Sequence, residues 1–144
     1  TAFYNLIGME TLGLRMERAC SNAKALAEFL NTYPDITVNY PGLACSPWHD
    51  VADKVLANGY GAILTIRVGS KERAFSVINN LSIPKIVSNI GDTKTLIIHP
   101  ESTLNAHSTE KEKEDAGVFD DLIRISVGIE DIEDLIEDFK AALA

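Results

Sequence analysis

A chain of 144 residues with 46% hydrophobic and 24% charged side chains has the balance of one folded domain, long enough for a core of its own and too short to divide in two. The net charge of −8 argues against nucleic acid and anionic membrane as partners, because neutralising phosphates needs clusters of lysine and arginine that this chain lacks. No stretch approaches a membrane span, no leader pattern is visible, and Cys20 and Cys45 lack metal-type spacing, so the chain reads as a cytoplasmic protein with two reduced thiols.

The chain opens Thr1-Ala-Phe-Tyr-Asn-Leu-Ile7 without an initiator methionine and is in an amphipathic helical pattern almost at once, which reads as the middle of a longer polypeptide. From Leu12 the apolar positions Leu12, Met16, Ala19, Ala23, Leu26 and Leu30 recur every four and three residues, predicting one long helix with a narrow buried seam. Tyr33-Pro34-Asp35 stops it, since proline disfavours helical geometry in the residue before it. Ile36 to Tyr40 then alternates as a strand.

Pro41 to Pro47 reads as a loop, followed by a short helix from about His49 to Leu56 for which Asp50 or Ser46 could cap the start. Gly59-Tyr-Gly61 is a strand-entry turn, and Ala62 to Val68 is the next strand. Ser70 is placed to cap a helix that buries Ala74, Phe75, Val77, Ile78 and Leu81. Lys85 to Val87 and Thr95 to Ile98 are short strands separated by the turn Asn89-Ile-Gly-Asp92. Thr109 and Glu112 have capping-box spacing, so the charged run Glu110 to Asp115 is an exposed helix. A last helix carries Ile129, Ile132, Leu135, Ile136, Phe139 and Leu143 on one side and paired acids on the other. Strands separated by helices predict an α/β sandwich of α+β type, with a small, mostly antiparallel sheet and helices packed on it.

Arg124 stands out in the segment Asp121-Leu-Ile-Arg-Ile-Ser-Val-Gly-Ile-Glu-Asp131. In a strand, Ile123, Ile125 and Val127 share one face while Leu122, Arg124 and Ser126 share the other. Two readings follow: a solvated face of an edge strand, or a guanidinium fork placed to orient a carboxylic-acid ligand. Of the three histidines, His49, His99 and His107, none shares a metal-ligand spacing with an acid or cysteine. No nucleophile elbow, phosphate loop or dinucleotide fingerprint occurs, and Lys85 and Lys94 read as surface lysines.

Three segments carry a resemblance: Gly8-Met-Glu-Thr-Leu-Gly-Leu-Arg-Met-Glu-Arg18 with Asn22-Ala23 after it, Asn89-Ile-Gly-Asp-Thr-Lys-Thr-Leu-Ile-Ile-His-Pro100, and Leu122 to Asp131. Together, in order and over essentially the whole chain, they resemble the C-terminal third of the Cys/Met-metabolism family of pyridoxal-phosphate enzymes. Within that family the Asn-Ile-Gly-Asp-x-Lys-Thr-Leu form is most similar to O-acetylhomoserine sulfhydrylase; cystathionine synthases, cystathionine lyases and methionine gamma-lyase are the alternatives. The resemblance implies the small C-terminal domain of the aspartate-aminotransferase fold over residues 1–144.

It also implies that Arg124 holds the α-carboxylate of an amino-acid substrate, with Ile125 replacing the family's leucine, and that Asn89 contacts the same carboxylate. Asn89 could equally serve the turn. Many members follow His-Pro with Ser-x-Thr-His, whereas Leu104 and Asn105 stand at the last two positions here; whether His107 supports Arg124 instead stays open. The lysine that holds the cofactor, the aspartate facing its pyridine nitrogen and the phosphate-binding groups all lie upstream in the family. The chain therefore contains no expected catalytic or cofactor-binding residue of its own. The implied parent is a homotetramer catalysing γ-replacement, in which O-acetylhomoserine loses acetate and gains sulfide or a thiol. A reading from another class is a free-standing binding or assembly module with the same fold and no chemistry.

Overall fold

The computed structural model describes residues 2–144; Thr1, where the opening pattern begins, lies outside the described residues. Helix α1 (Ala2–Glu10) is followed, after Thr11, by the long α2 (Leu12–Leu30). The chain then forms β1 (Thr37–Asn39), α3 (His49–Val55), β2 (Ile63–Arg67), α4 (Lys71–Asn80) and β3 (Lys85–Ile86). β4 (Leu96–Ile98), α5 (Glu110–Asp115), β5 (Leu122–Ser126) and α6 (Ile132–Leu143) complete it.

The five strands form one sheet in the order β1-β2-β5-β4-β3. The β1–β2, β2–β5 and β5–β4 pairs are antiparallel, as the spacing of the elements predicts. β3 and β4 are parallel. The segment between them is thus a short crossover carrying β3 round to the same direction, and the Asn89–Asp92 turn does not close a hairpin. β5 sits in the centre, so the edge-strand reading of Arg124 is wrong: strand position depends on which distant segments pair, a property with no local signature.

Register divides the sheet into two faces. Leu64, Ile66, Ile97, Ile123, Ile125 and Val127 point to the face covered by α2, α4 and α6, where they form the core with Leu26, Leu30, Val77, Leu135 and Phe139. Thr65, Arg67, Leu122, Arg124 and Ser126 point to the second face. Two irregular segments lie on that face. Gly91 donates its backbone N–H to Ser126 Oγ (3.3 Å), and the Arg67 guanidinium sits 3.9 Å above the Phe119 ring.

The local signals hold in most places. Ser70 accepts from the backbone of Arg73 at 3.2 Å, the Thr109–Glu112 capping box is complete, and Asp131 caps α6 through the Glu133 N–H. At α3 the cap residue is Trp48, while Ser46, two residues before it, accepts the Trp48 N–H at Oγ (3.3 Å) and does not cap the helix itself. The seam of α2 is buried only from Ala19 onward; Leu12 and Met16 are exposed, as are Phe3, Tyr4, Leu6 and Met9 of α1. Phe75 is also more exposed than its helical position predicts, and its ring packs beside that of His99, 4.8 Å between centroids. Among the described residues no helix is long and apolar enough to cross a membrane.

Candidate carboxylate site

β5 is a run of β-branched and aliphatic residues, the composition that suits a pleated strand buried from both sides. One polar side chain interrupts it. Arg124 lies opposite Thr65 on β2 and opposite Ile98 on β4, on the face away from the core helices. Its Nη2 donates to the backbone carbonyl of Ser88 at 2.7 Å and, at longer range, to that of Asn89 at 3.4 Å. Its Nε is buried and has no hydrogen-bond partner among the described residues. Burial pushes the guanidinium pKa below its ordinary value, yet an arginine remains a cation at neutral pH.

The contrast with the other sheet-side arginines defines the chemistry. Arg67, on the same face of the adjacent strand, is neutralised by Asp121 at 2.8 Å, and Arg73 pairs with Asp35. Arg124 meets only carbonyl oxygens, whose dipoles orient it without cancelling its charge. A carboxylate delivered to the accessible edge of this fork gains a charge-assisted hydrogen bond in a site that no acid already occupies.

The sequence-predicted residues come together in part. Asn89 reaches Arg124 through its backbone carbonyl, and the residue itself is exposed on the turn. His107 is exposed and does not support Arg124; the histidine fixed in the fold is His99, held by Ser102 Oγ at 2.8 Å and the Asp120 carbonyl at 2.7 Å. Ser88 escaped sequence reasoning altogether. It contributes a carbonyl, which every residue has, so no side-chain signal could have flagged it.

Beside the arginine, a cleft of about 360 Å³ opens between the start of α2 and the 90–93 turn. Leu12, Met16, Ile63, Ile90 and Ile129 make it largely apolar, and Ser126 and Gly91 connect it to the Arg124 face. The described lysines are engaged elsewhere. Lys71 and Lys113 share Glu101, each at 2.7 Å, Lys24 and Lys140 pair with acids on their own helices, and Lys54, Lys85, Lys94 and Lys111 are exposed. None of them lines the cleft.

A small, mostly antiparallel sheet with helices packed on it is the architecture of the C-terminal domain of enzymes with the aspartate-aminotransferase fold. The sequence profile of the Cys/Met metabolism PLP-dependent enzymes matches residues 1–144, and the chain belongs to that family. It is 46% identical over 143 residues to the homocysteine synthase of Schizosaccharomyces pombe, covering 98% of this chain and 33% of the relative. It is 42% identical over 144 residues to an L-methionine gamma-lyase of Fusobacterium nucleatum, covering 99% and 36%. The crystal structure of a Campylobacter jejuni protein described as an O-acetylhomoserine (thiol)-lyase superposes with a TM-score of 0.92 at 38% identity, over 96% of this chain and 33% of that one.

The chain thus spans about a third of the length of the relatives it matches. In the Campylobacter structure pyridoxal phosphate is present as a pyridoxyl-lysine adduct. The family is pyridoxal-phosphate-dependent, but with no lysine at the cleft the residues described here do not fit the attachment of that cofactor.

Proposed function

We propose that residues 1–144 are the small C-terminal domain of a pyridoxal-phosphate-dependent γ-replacement enzyme that converts O-acetylhomoserine and sulfide or a thiol into homocysteine or a methionine-type product. Arg124 is its anchor for the substrate α-carboxylate, and Asn89 its second contact. The observation that carries this reading is the condition of Arg124: partly buried, with an unpartnered Nε, and without an acid among the partners that reach it. The names of the homocysteine synthase and (thiol)-lyase relatives supply the reaction class. An upstream large domain would hold the cofactor, and the parent would assemble as a cytoplasmic homotetramer.

Arginine suits this task better than lysine because its planar fork fixes both oxygens of a carboxylate, and so the direction of the substrate's Cα. Mounting it on the central strand of a packed sheet holds that direction rigid.

A second reading rests on the gamma-lyase relative at 42% identity: the same carboxylate site serving elimination instead of replacement. The full-length protein carrying this chain discriminates. With O-acetylhomoserine and sulfide, homocysteine release establishes replacement. Release of an α-keto acid and ammonia from methionine, without homocysteine formation, establishes elimination. A full-length protein that gives neither product with cofactor bound would overturn the assignment in favour of a non-catalytic binding module.

A further inference from the structure

The segment that holds Arg124, residues 87 to 94 after β3, has no helix or strand of its own and is exposed throughout. A loop so exposed keeps the Ser88 and Asn89 carbonyls aligned with Arg124 only if its ends are pinned. The structure shows the pins. At its C-terminal end Thr95 is fully buried, and the carboxylate of Glu130 grips it twice: Oε1 accepts the Thr95 backbone N–H at 2.6 Å and Oε2 accepts its hydroxyl at 2.9 Å. The same threonine Oγ accepts the Gly128 N–H at 2.9 Å, and Ile129 donates its N–H to the Thr93 carbonyl at 2.9 Å.

The other side of this clamp is α2. Asn22, 2% exposed, donates through Nδ2 to the carbonyls of Gly128 (3.1 Å) and Glu130 (2.8 Å). Gly128 lets the two strands of the clamp approach so closely that a Cβ there would stand 2.6 Å from the carbonyl carbon of Lys94. Residues 93–95 are therefore fixed against residues 128–130 just beyond β5, with Gly128 four residues after Arg124 and Thr93 four after Asn89. The turn 89–92 spans the distance between the clamp and the guanidinium, with one tie of its own to β5 through the Gly91 N–H and Ser126 Oγ at 3.3 Å.

From this we infer that Glu130, acting through Thr95, is a positioning residue for the substrate-carboxylate site: it sets where the 88–91 backbone meets Arg124, and so the direction in which the guanidinium presents its free edge. The inference rests on the proposed carboxylate role of Arg124. Two features separate Glu130 from an ordinary structural acid. Its carboxylate is satisfied by a neutral N–H and a hydroxyl where a cation would serve stability better, and both of those donors belong to the segment that contacts Arg124.

The test uses the full-length holoenzyme with O-acetylhomoserine and sulfide, comparing Glu130→Gln, Glu130→Ala, Thr95→Val and Thr95→Ser, with Arg124→Ala as reference. Glu130→Gln and Thr95→Val should each raise KM for the amino-acid substrate about tenfold, the worth of one placement hydrogen bond, with the KM for sulfide and the cofactor absorbance unchanged. Thr95→Ser, which keeps the hydroxyl, should restore the wild-type KM. Combined with Arg124→Ala, Glu130→Gln should add almost nothing further, because both act on the same contact.

A lowered thermal midpoint with unchanged KM in Glu130→Gln and Thr95→Val would make the clamp purely structural and overturn the inference while leaving Arg124 its role. Additive effects of Glu130→Gln and Arg124→Ala would overturn it as well. If Arg124→Ala itself leaves amino-acid binding intact, the carboxylate assignment fails and the positioning role falls with it. Should Glu130→Ala fail to fold, the isosteric Gln and Val variants still decide.

Discussion

Replacing Arg124 by alanine removes the partly buried fork on which the proposed carboxylate site rests. In the full-length enzyme the substrate carboxylate would lose two charge-assisted hydrogen bonds in a site partly screened by water. At about 1.5 to 3 kcal/mol for a hydrogen bond to a charged group, and with the lower half of the range for a half-exposed site, the loss is about 3 kcal/mol, or roughly 150-fold in amino-acid binding. Lysine at the same position keeps the charge and loses the fork, so Arg124→Lys should recover only part of that loss. The assay is a steady-state titration of O-acetylhomoserine at saturating sulfide, read beside the cofactor absorbance. The affected quantity should be KM and kcat/KM for the amino acid, with cofactor retention within about twofold of wild type. The reasoning is refuted if cofactor and amino-acid substrate are lost together, or if a substrate analogue lacking the carboxylate is weakened as much as the amino acid.

Three other outcomes follow from the packing and the charges. Phe139 is fully buried at the heart of the helical face, so Phe139→Ala should cost about 3 to 5 kcal/mol, read as a fall in the denaturant midpoint; a loss below 1 kcal/mol would show that the α6 contact is dispensable. Gly128→Ala forces a methyl against the Lys94 backbone, which cannot yield as a side chain would, so a destabilisation of about 1 to 3 kcal/mol is expected, and a neutral effect would mean the 93–95 and 128–130 segments separate freely. Hydrogen bonds first from Lys113 and then from Lys71 hold the Glu101 carboxyl at about 2, against an ordinary value near 4.5. Its folded pKa is depressed, so its stabilisation is complete above about pH 4.5 and lost as pH falls towards 2; the thermal midpoints of wild type and Glu101→Gln should differ at pH 6 and draw together as pH falls to about 2. Curves that stay parallel across that window would show that the pairing does not persist in solution.

Much of this was legible residue by residue. The period of α2, the Ser70 cap, the capping box at Thr109 and the acid-faced amphipathic α6 depend on neighbours within a turn or two, and each stands where the pattern puts it. The alternation of Leu122 to Val127 also placed Arg124 on the face opposite the core. What failed was long-range. The parallel pairing of β3 with β4 and the central position of β5 depend on which segments find each other across dozens of residues. The exposure of Leu12, Met16 and Phe75 shows that an apolar stripe announces a face to bury without naming what buries it.

By itself, the sequence determined most of the elements, the class of sheet they build, the family and the arginine on which the proposed carboxylate site rests, because caps, periods and motif residues are properties of nearby positions. Only the tertiary structure decided the condition of Arg124. It set that strand in the middle of the sheet, gave the acids of Asp121 and Asp35 to other arginines, and laid the Ser88 and Asn89 carbonyls, pinned through Thr95 and Glu130, against the guanidinium. Those are pairings between positions up to dozens of residues apart, settled by which buried donors and acceptors can be satisfied at once.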